Sequence, residues 1–198
     1  MANFKEAFKS FAEDFECCSY IVMNDGEEAY MGISRKYHPT WEGWNTVDDL
    51  SYDKEEFPKN LDLDDELQEL VHKFYEMRFW DESRLDEFDS QELASNIFSL
   101  ACYHGTRGAG QFLQMALNYL SEGDSYDKIN ENGVVEDDTI DAVNVLEDGG
   151  YTPLLIDTIY DTISNTYVFE VEFSEEEVDC CCGCGMEECG CDDYGEGC

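Results

Sequence analysis

Glu16 sits where an amphipathic helix should end, with Phe15, Cys17, Cys18 and Tyr20 around it in sequence. A carboxyl group in partly apolar surroundings holds its proton near neutral pH and can deliver it as a general acid. The chain carries 48 acids, however, and a lone glutamate at a helix end is ordinarily a solvated surface group. Only its context separates the two readings. Other chemistry-bearing residues are scattered. His38, His72 and His104 form no His-x-x-x-His pair, which argues against a catalytic zinc in the body of the chain. Cys17, Cys18 and Cys102 lie at no metal-ligand spacing and read as small buried hydrophobes. A Cys102–His104 nucleophile is a weak candidate, because close sequence neighbours rarely meet in the required geometry.

The C-terminal end poses a separate question. Cys180, Cys181, Cys182, Cys184, Cys189, Cys191 and Cys198 crowd into an acidic segment with almost no core-forming residues. Thiolates at this density bind soft metals such as zinc or copper(I). They also form disulfides in an oxidising medium, or stay reduced on a solvated tail. The spacing matches no standard zinc module, and the three readings stand side by side.

The elements that would position Glu16 follow from periodicity. Phe4, Ala7, Phe8, Phe11, Ala12 and Phe15 recur at helical steps and define one apolar face. Residues 17–46 lack a clear period and contain Gly26, Gly32, Pro39 and Gly43. They read as a structured loop with a short hairpin and a short helix near Ile33–Tyr37. Residues 48–65 read as an acidic surface loop, and its last aspartates can cap a helix. That helix carries Leu67, Leu70, Val71, Phe74, Tyr75 and Phe79 and ends near Trp80. The pattern predicts further helices over Gln91–Tyr103, Arg107–Leu120, from Asp137-Asp138 through Leu146, and Pro153–Ile163. "TYVFEVEF", residues 166–173, alternates like a strand. The expected fold class is mainly α: a lysozyme-like helical domain over 1–173 with a small irregular or β-hairpin region, then a disordered acidic Cys-rich tail over 174–198.

The formal net charge is −37 in 198 residues, and no Lys or Arg follows Lys128. Such a field repels nucleic acid and anionic polymers and favours cationic partners or a high-salt setting. Nucleic-acid binding is not expected. No apolar window is long enough for a membrane span, and the N-terminal residues lack the apolar core of a signal peptide.

Three motifs fall in order along the chain. The first runs from Glu16 through Tyr20 and Asn24-Asp25-Gly26 to Gly32-Ile33-Ser34. The second is "FYEMRFWD" at 74–81. The third is "ACYHGTRGAGQFLQMAL" at 101–117 with "NGVVEDDTIDAVN" at 132–144. Together they resemble the phage-type N-acetylmuramidases of glycoside hydrolase family 108, with their peptidoglycan-binding-like helical segment, here 105–165. Gly105, Arg107, Leu113, Gln114, Ala116, Leu117, Gly133, Thr139 and Ala142 keep the family spacing. Cys17 and Cys18 stand where the family has two glycines, Ala29 where it has Thr, and His104 where it has Asn.

The resemblance implies a peptidoglycan glycosidase with no cofactor. Glu16 would be the general acid and Asp25 the nearest second carboxylate; Tyr20, Asn24, Tyr103 and His104 would contact substrate. Trp80 is expected in the core and Gln114 in a structural role. The resemblance also implies a place in the host cytoplasm before release to the wall, or in a phage virion or tail. The alternative is a muramidase fold that has lost its activity and serves as a virion component, with basic virion proteins as partners.

Overall fold

The computed structural model describes residues 1–13, 19–24, 26–121 and 126–171. Helix α1 (Phe4–Ala12) starts at Asn3, whose side chain accepts from the Lys5 amide at 2.9 Å. Its buried residues, Phe4, Ala7, Phe8 and Phe11, are the stripe that periodicity marks. The described helix ends at Ala12, and residues 14–18, including Glu16, lie outside the described residues.

Residues 19–34 form three short antiparallel strands, β1 (Tyr20–Val22), β2 (Glu28–Tyr30) and β3 (Ile33–Ser34), ordered β1-β2-β3. Tyr20 pairs with Tyr30, Ile21 with Ala29 and Val22 with Glu28; Ala29 pairs with Ser34 on the other side. Gly26 (φ 84°) turns the first hairpin, and Met31 (φ 47°) with Gly32 (φ 76°) the second. Positive φ costs glycine nothing, so Gly-Ile-Ser marks a β-turn and a strand. The helix expected near Ile33–Tyr37 is replaced by β3 and a turn. One amide, His38 N–H donating to Ser34 O at 2.9 Å, is all that resembles a helical turn there.

Helix α2 (Gly43–Leu50) lies where the sequence suggested irregular structure and an acidic loop. It is short and buries only Gly43, Trp44 and Val47, too few positions to show a period. Trp44 fixes it, donating through Nε1 to His38 O at 2.8 Å. Helix α3 (Asp65–Tyr75) is capped by Asp64, which accepts from the Leu67 amide at 2.8 Å. It continues as a π-helical turn, Glu76–Trp80, that sets Trp80 in the core at 3% exposure, as expected.

Helix α4 (Gln91–Leu120) is broken at Gly105 (φ 76°, ψ 155°). The two helices expected on either side of His104-Gly105 are its two halves. Helices α5 (Asp137–Asp148) and α6 (Thr152–Val171) follow. The strand expected from Thr166 is a correction, because α6 runs on through Val171. Alternation over a few residues cannot outweigh a helix already propagating. Thr158, Thr162 and Thr166 each donate their hydroxyl to the carbonyl four residues back, which removes the competition these side chains usually offer.

The core joins α1, α3, α4, α5 and α6 around Phe98, Leu113, Leu117 and Val143. The mainly α architecture with a small β region is thus the one observed. The residues spaced as in the resembled family converge at α4 and the loop before α5. Gln114 is buried; its Oε1 accepts from the Gly133 amide at 2.7 Å and its Nε2 donates to Val134 O at 2.8 Å. Arg107 Nε donates to Asn132 O at 3.0 Å. Gly133 has φ 77°, and a Cβ there would stand 2.1 Å from Arg107 O. Gly133→Ala therefore meets backbone strain and a clash together. We expect a loss of about 2–4 kcal/mol, read as a lower urea midpoint at constant m value.

Candidate functional site

The hairpin presents polar residues at one end around an open pocket of about 420 Å3, lined by Gly26, Glu27, Glu28, Arg35 and Lys36. Register explains the grouping. Glu27 stands one residue before β2 and two positions from Ala29, and its carbonyl accepts from the Met23 amide at 2.8 Å. Ser34 is Ala29's cross-strand partner. The Ser34 hydroxyl donates to Glu27 Oε1 at 2.5 Å, and Lys36 Nζ reaches Glu27 Oε2 at 3.2 Å. The Glu27 side chain is 10% exposed, against 32% for Glu28.

Glu28 belongs to a second network. Arg35 pairs with Glu28 at 3.1 Å and with Asp48 at 2.6 Å, and its guanidinium lies 4.5 Å over the Trp44 ring. This ties the sheet to α2. Tyr20 sits beside it; burial, then the Glu28 charge, push its phenol above the ordinary tyrosine range. Its ring packs edge-on against Phe57 at 4.9 Å.

The sheet is fastened to the helical core from behind. Tyr30 donates to Asp62 at 3.1 Å and receives Gln68 Nε2 at 2.6 Å. Burial is the main cause that lifts its phenol out of the titrating range. Tyr75 donates to Met31 O at 2.5 Å in the second turn. The Tyr75 ring also meets Phe11 at 5.2 Å, near the end of α1, and Phe11 meets Tyr103 at 5.9 Å. Phe11 and Tyr75 thus bring together the end of α1, the β2–β3 turn and the α4 break.

The sequence candidates are distributed as follows. Glu16 and Asp25 lie outside the described residues, as do the tail cysteines Cys180, Cys181, Cys182, Cys184, Cys189 and Cys191. Asn24 is exposed in the first hairpin turn. Tyr103 is 61% exposed beside the end of α1, and His104 faces Phe112 edge-on at 5.7 Å. Cys102 is a partly buried free thiol, and burial pushes its proton affinity far up, which fits a packing residue rather than a nucleophile. Among the described residues no group of three or more His, Cys, Asp or Glu is placed to hold a metal ion, and no helix is long and apolar enough to cross a membrane.

Glu27 is the site residue that sequence reasoning passed over. Its signal is positional: two residues before Ala29, whose cross-strand partner is Ser34.

The hairpin, the pocket, α2, α3 and the first half of α4 form one continuous segment, and this is the segment that comparison picks out. Residues 22–105 match the family model of glycosyl hydrolase 108. This is a similarity over less than half of the chain. No curated protein and no solved structure matches the chain. The matched segment holds Glu27, Ser34, Lys36 and the Arg35 network, and it stops at the glycine that breaks α4. It begins after Glu16. The polar pocket thus lies within the part of the chain that is similar to a glycosyl hydrolase family.

Proposed function

We propose that the chain is a peptidoglycan-degrading muramidase of bacteriophage origin, an endolysin or a virion-associated lysin, with Glu16 as general acid. The observation that carries this reading is the glycosyl hydrolase 108 match over the hairpin and its polar pocket. Tyr20, Asn24, Tyr103 and His104 would line the path of the glycan. Tyr103 suits that task, because an exposed aromatic ring beside the end of α1 offers an apolar face to a pyranose. The protein would act from the host cytoplasm after release to the wall, or from the particle. Zinc or copper(I) at the tail cysteines would be a separate property, removable with the tail.

A second reading is favoured by Ala29. It is buried on the strand at 4% exposure where the resembled family carries a threonine. A fold that had given up catalysis could serve as a virion component, with a basic partner against its acidic surface.

A reducing-sugar and turbidity assay on purified peptidoglycan separates the two. Salt belongs in the design, since a net charge of −37 repels an anionic wall. The screening length falls from about 30 Å at 0.01 M to about 8 Å at 0.15 M. The expected result is release of new reducing ends that rises between these salt concentrations. No release at any salt would leave the virion-component reading.

A further inference from the structure

We infer that Glu27 supplies the second carboxylate of the proposed hydrolysis, the group that activates water, with Ser34 and Lys36 as its positioning residues. The inference rests on the muramidase reading above and names a residue that the sequence did not single out.

Three observations lead to it. Glu27 lines the pocket at the hairpin end, and its side chain is nine-tenths buried in a chain with 48 acids. A carboxylate withdrawn from water needs a partner for each oxygen, and Glu27 has one on each: the Ser34 hydroxyl on Oε1 and the Lys36 ammonium on Oε2. Two donors from β3 and the turn after it fix the carboxylate plane, as a positioned base requires. Glu28 is the contrasting neighbour. It is paired with Arg35, which also holds Asp48 and stacks on Trp44, so its role is to tie the sheet to α2.

Register supplies the third argument. Ala29 cannot offer a hydroxyl, but its cross-strand partner Ser34 can, and Ser34 spends that hydroxyl on Glu27. The pair restores on this face a polar group able to hold a water.

In the step, a water oxygen forms a bond to the anomeric carbon and gives one proton to the Glu27 carboxylate. The bond from that carbon to the glycosidic oxygen breaks. The departing oxygen takes a proton from Glu16, and exchange with solvent resets both carboxyl groups. One water is consumed and two hydroxyls appear.

The test compares wild type, Glu27→Gln, Glu27→Ala and Asp25→Asn on purified peptidoglycan, with melting curves for each and with sodium azide added. The expected result for Glu27→Gln is a fall of about 10²- to 10⁴-fold in turnover, the usual contribution of a general base, with only a small drop in melting temperature, because the amide oxygen still accepts from Ser34 and the Lys36 ammonium is largely exposed. Azide should partly restore cleavage by Glu27→Ala and yield a glycosyl azide, which a structural role cannot produce. Turnover by Glu27→Gln within about threefold of wild type, a loss far below that contribution, would overturn the assignment. So would absence of the azide product, or an azide product from Asp25→Asn instead. A wild-type protein that releases nothing would sink the hydrolase reading and this inference with it, which distinguishes the two failures.

Discussion

Glu16→Gln is expected to lower the release of reducing ends by about 10²- to 10⁴-fold while leaving the melting temperature where it was. The amide keeps the size and hydrogen-bonding shape of the acid but has no proton to give a departing oxygen. Glycan binding should therefore survive, so the loss should fall on turnover rather than on half-saturation. Stability should be spared for a separate reason. Among the described residues, Phe8 and Phe11 anchor this end of α1 against Tyr75, Phe98 and Tyr103. Unchanged release by the variant would remove Glu16 from the mechanism. A parallel loss of activity and melting temperature would assign it to the fold.

Phe98→Ala is expected to be the most damaging single truncation, at about 3–5 kcal/mol. Phe98 is fully buried, and its ring meets Phe4, Phe11, Tyr75 and Trp80 at 5.7, 5.6, 6.4 and 6.0 Å. These partners come from α1, α3 and the π-helical turn, so the cavity would open where three segments depend on α4. None of them can collapse into it without leaving the others. For a chain of this length the loss corresponds to a melting temperature lower by roughly 6–20 °C. Calorimetry or a denaturant titration reads it directly, and a change below about 1 kcal/mol would show that the aromatic cluster relaxes into the gap.

The helices that carry regular apolar stripes were legible in the sequence, and so was the glycine that divides α4. α1 shows Phe4, Ala7, Phe8 and Phe11 on one face, and α5 shows Ile140, Val143 and Leu146. α2 was not legible. With eight residues and Trp44 and Val47 as its only large buried side chains, it has too little length for a period to appear. The end of α6 misled for the opposite reason, because a few alternating residues imitated a strand. The site was partly legible. Gly-Ile-Ser and Asn-Asp-Gly mark the hairpin that carries the pocket. Glu27 was hidden, since composition cannot separate one acid from 48. What separates it is strand register, which pairs Ala29 with Ser34 and so brings the hydroxyl to the carboxylate. Neighbouring turn residues differ in role by which side of a strand they occupy, and a one-residue slip would exchange them.

The docking of α1 on α4 has a consequence for synthesis. The Asn3 amide donates to Gln91 Oε1 across 88 positions, the Ala2 amide donates to Phe88 O, and Phe4 waits for Phe98. At about 5–20 residues per second on the ribosome, the apolar face of the first helix emerges roughly 5–20 s before its partner exists. During that interval Phe4 lacks Phe98, and Phe8 and Phe11 are unshielded until Tyr75 is made. A trigger-type chaperone that shelters aromatic segments near the tunnel exit should raise the soluble yield, and moving the α1 sequence behind α6 by circular permutation should relieve the need for it.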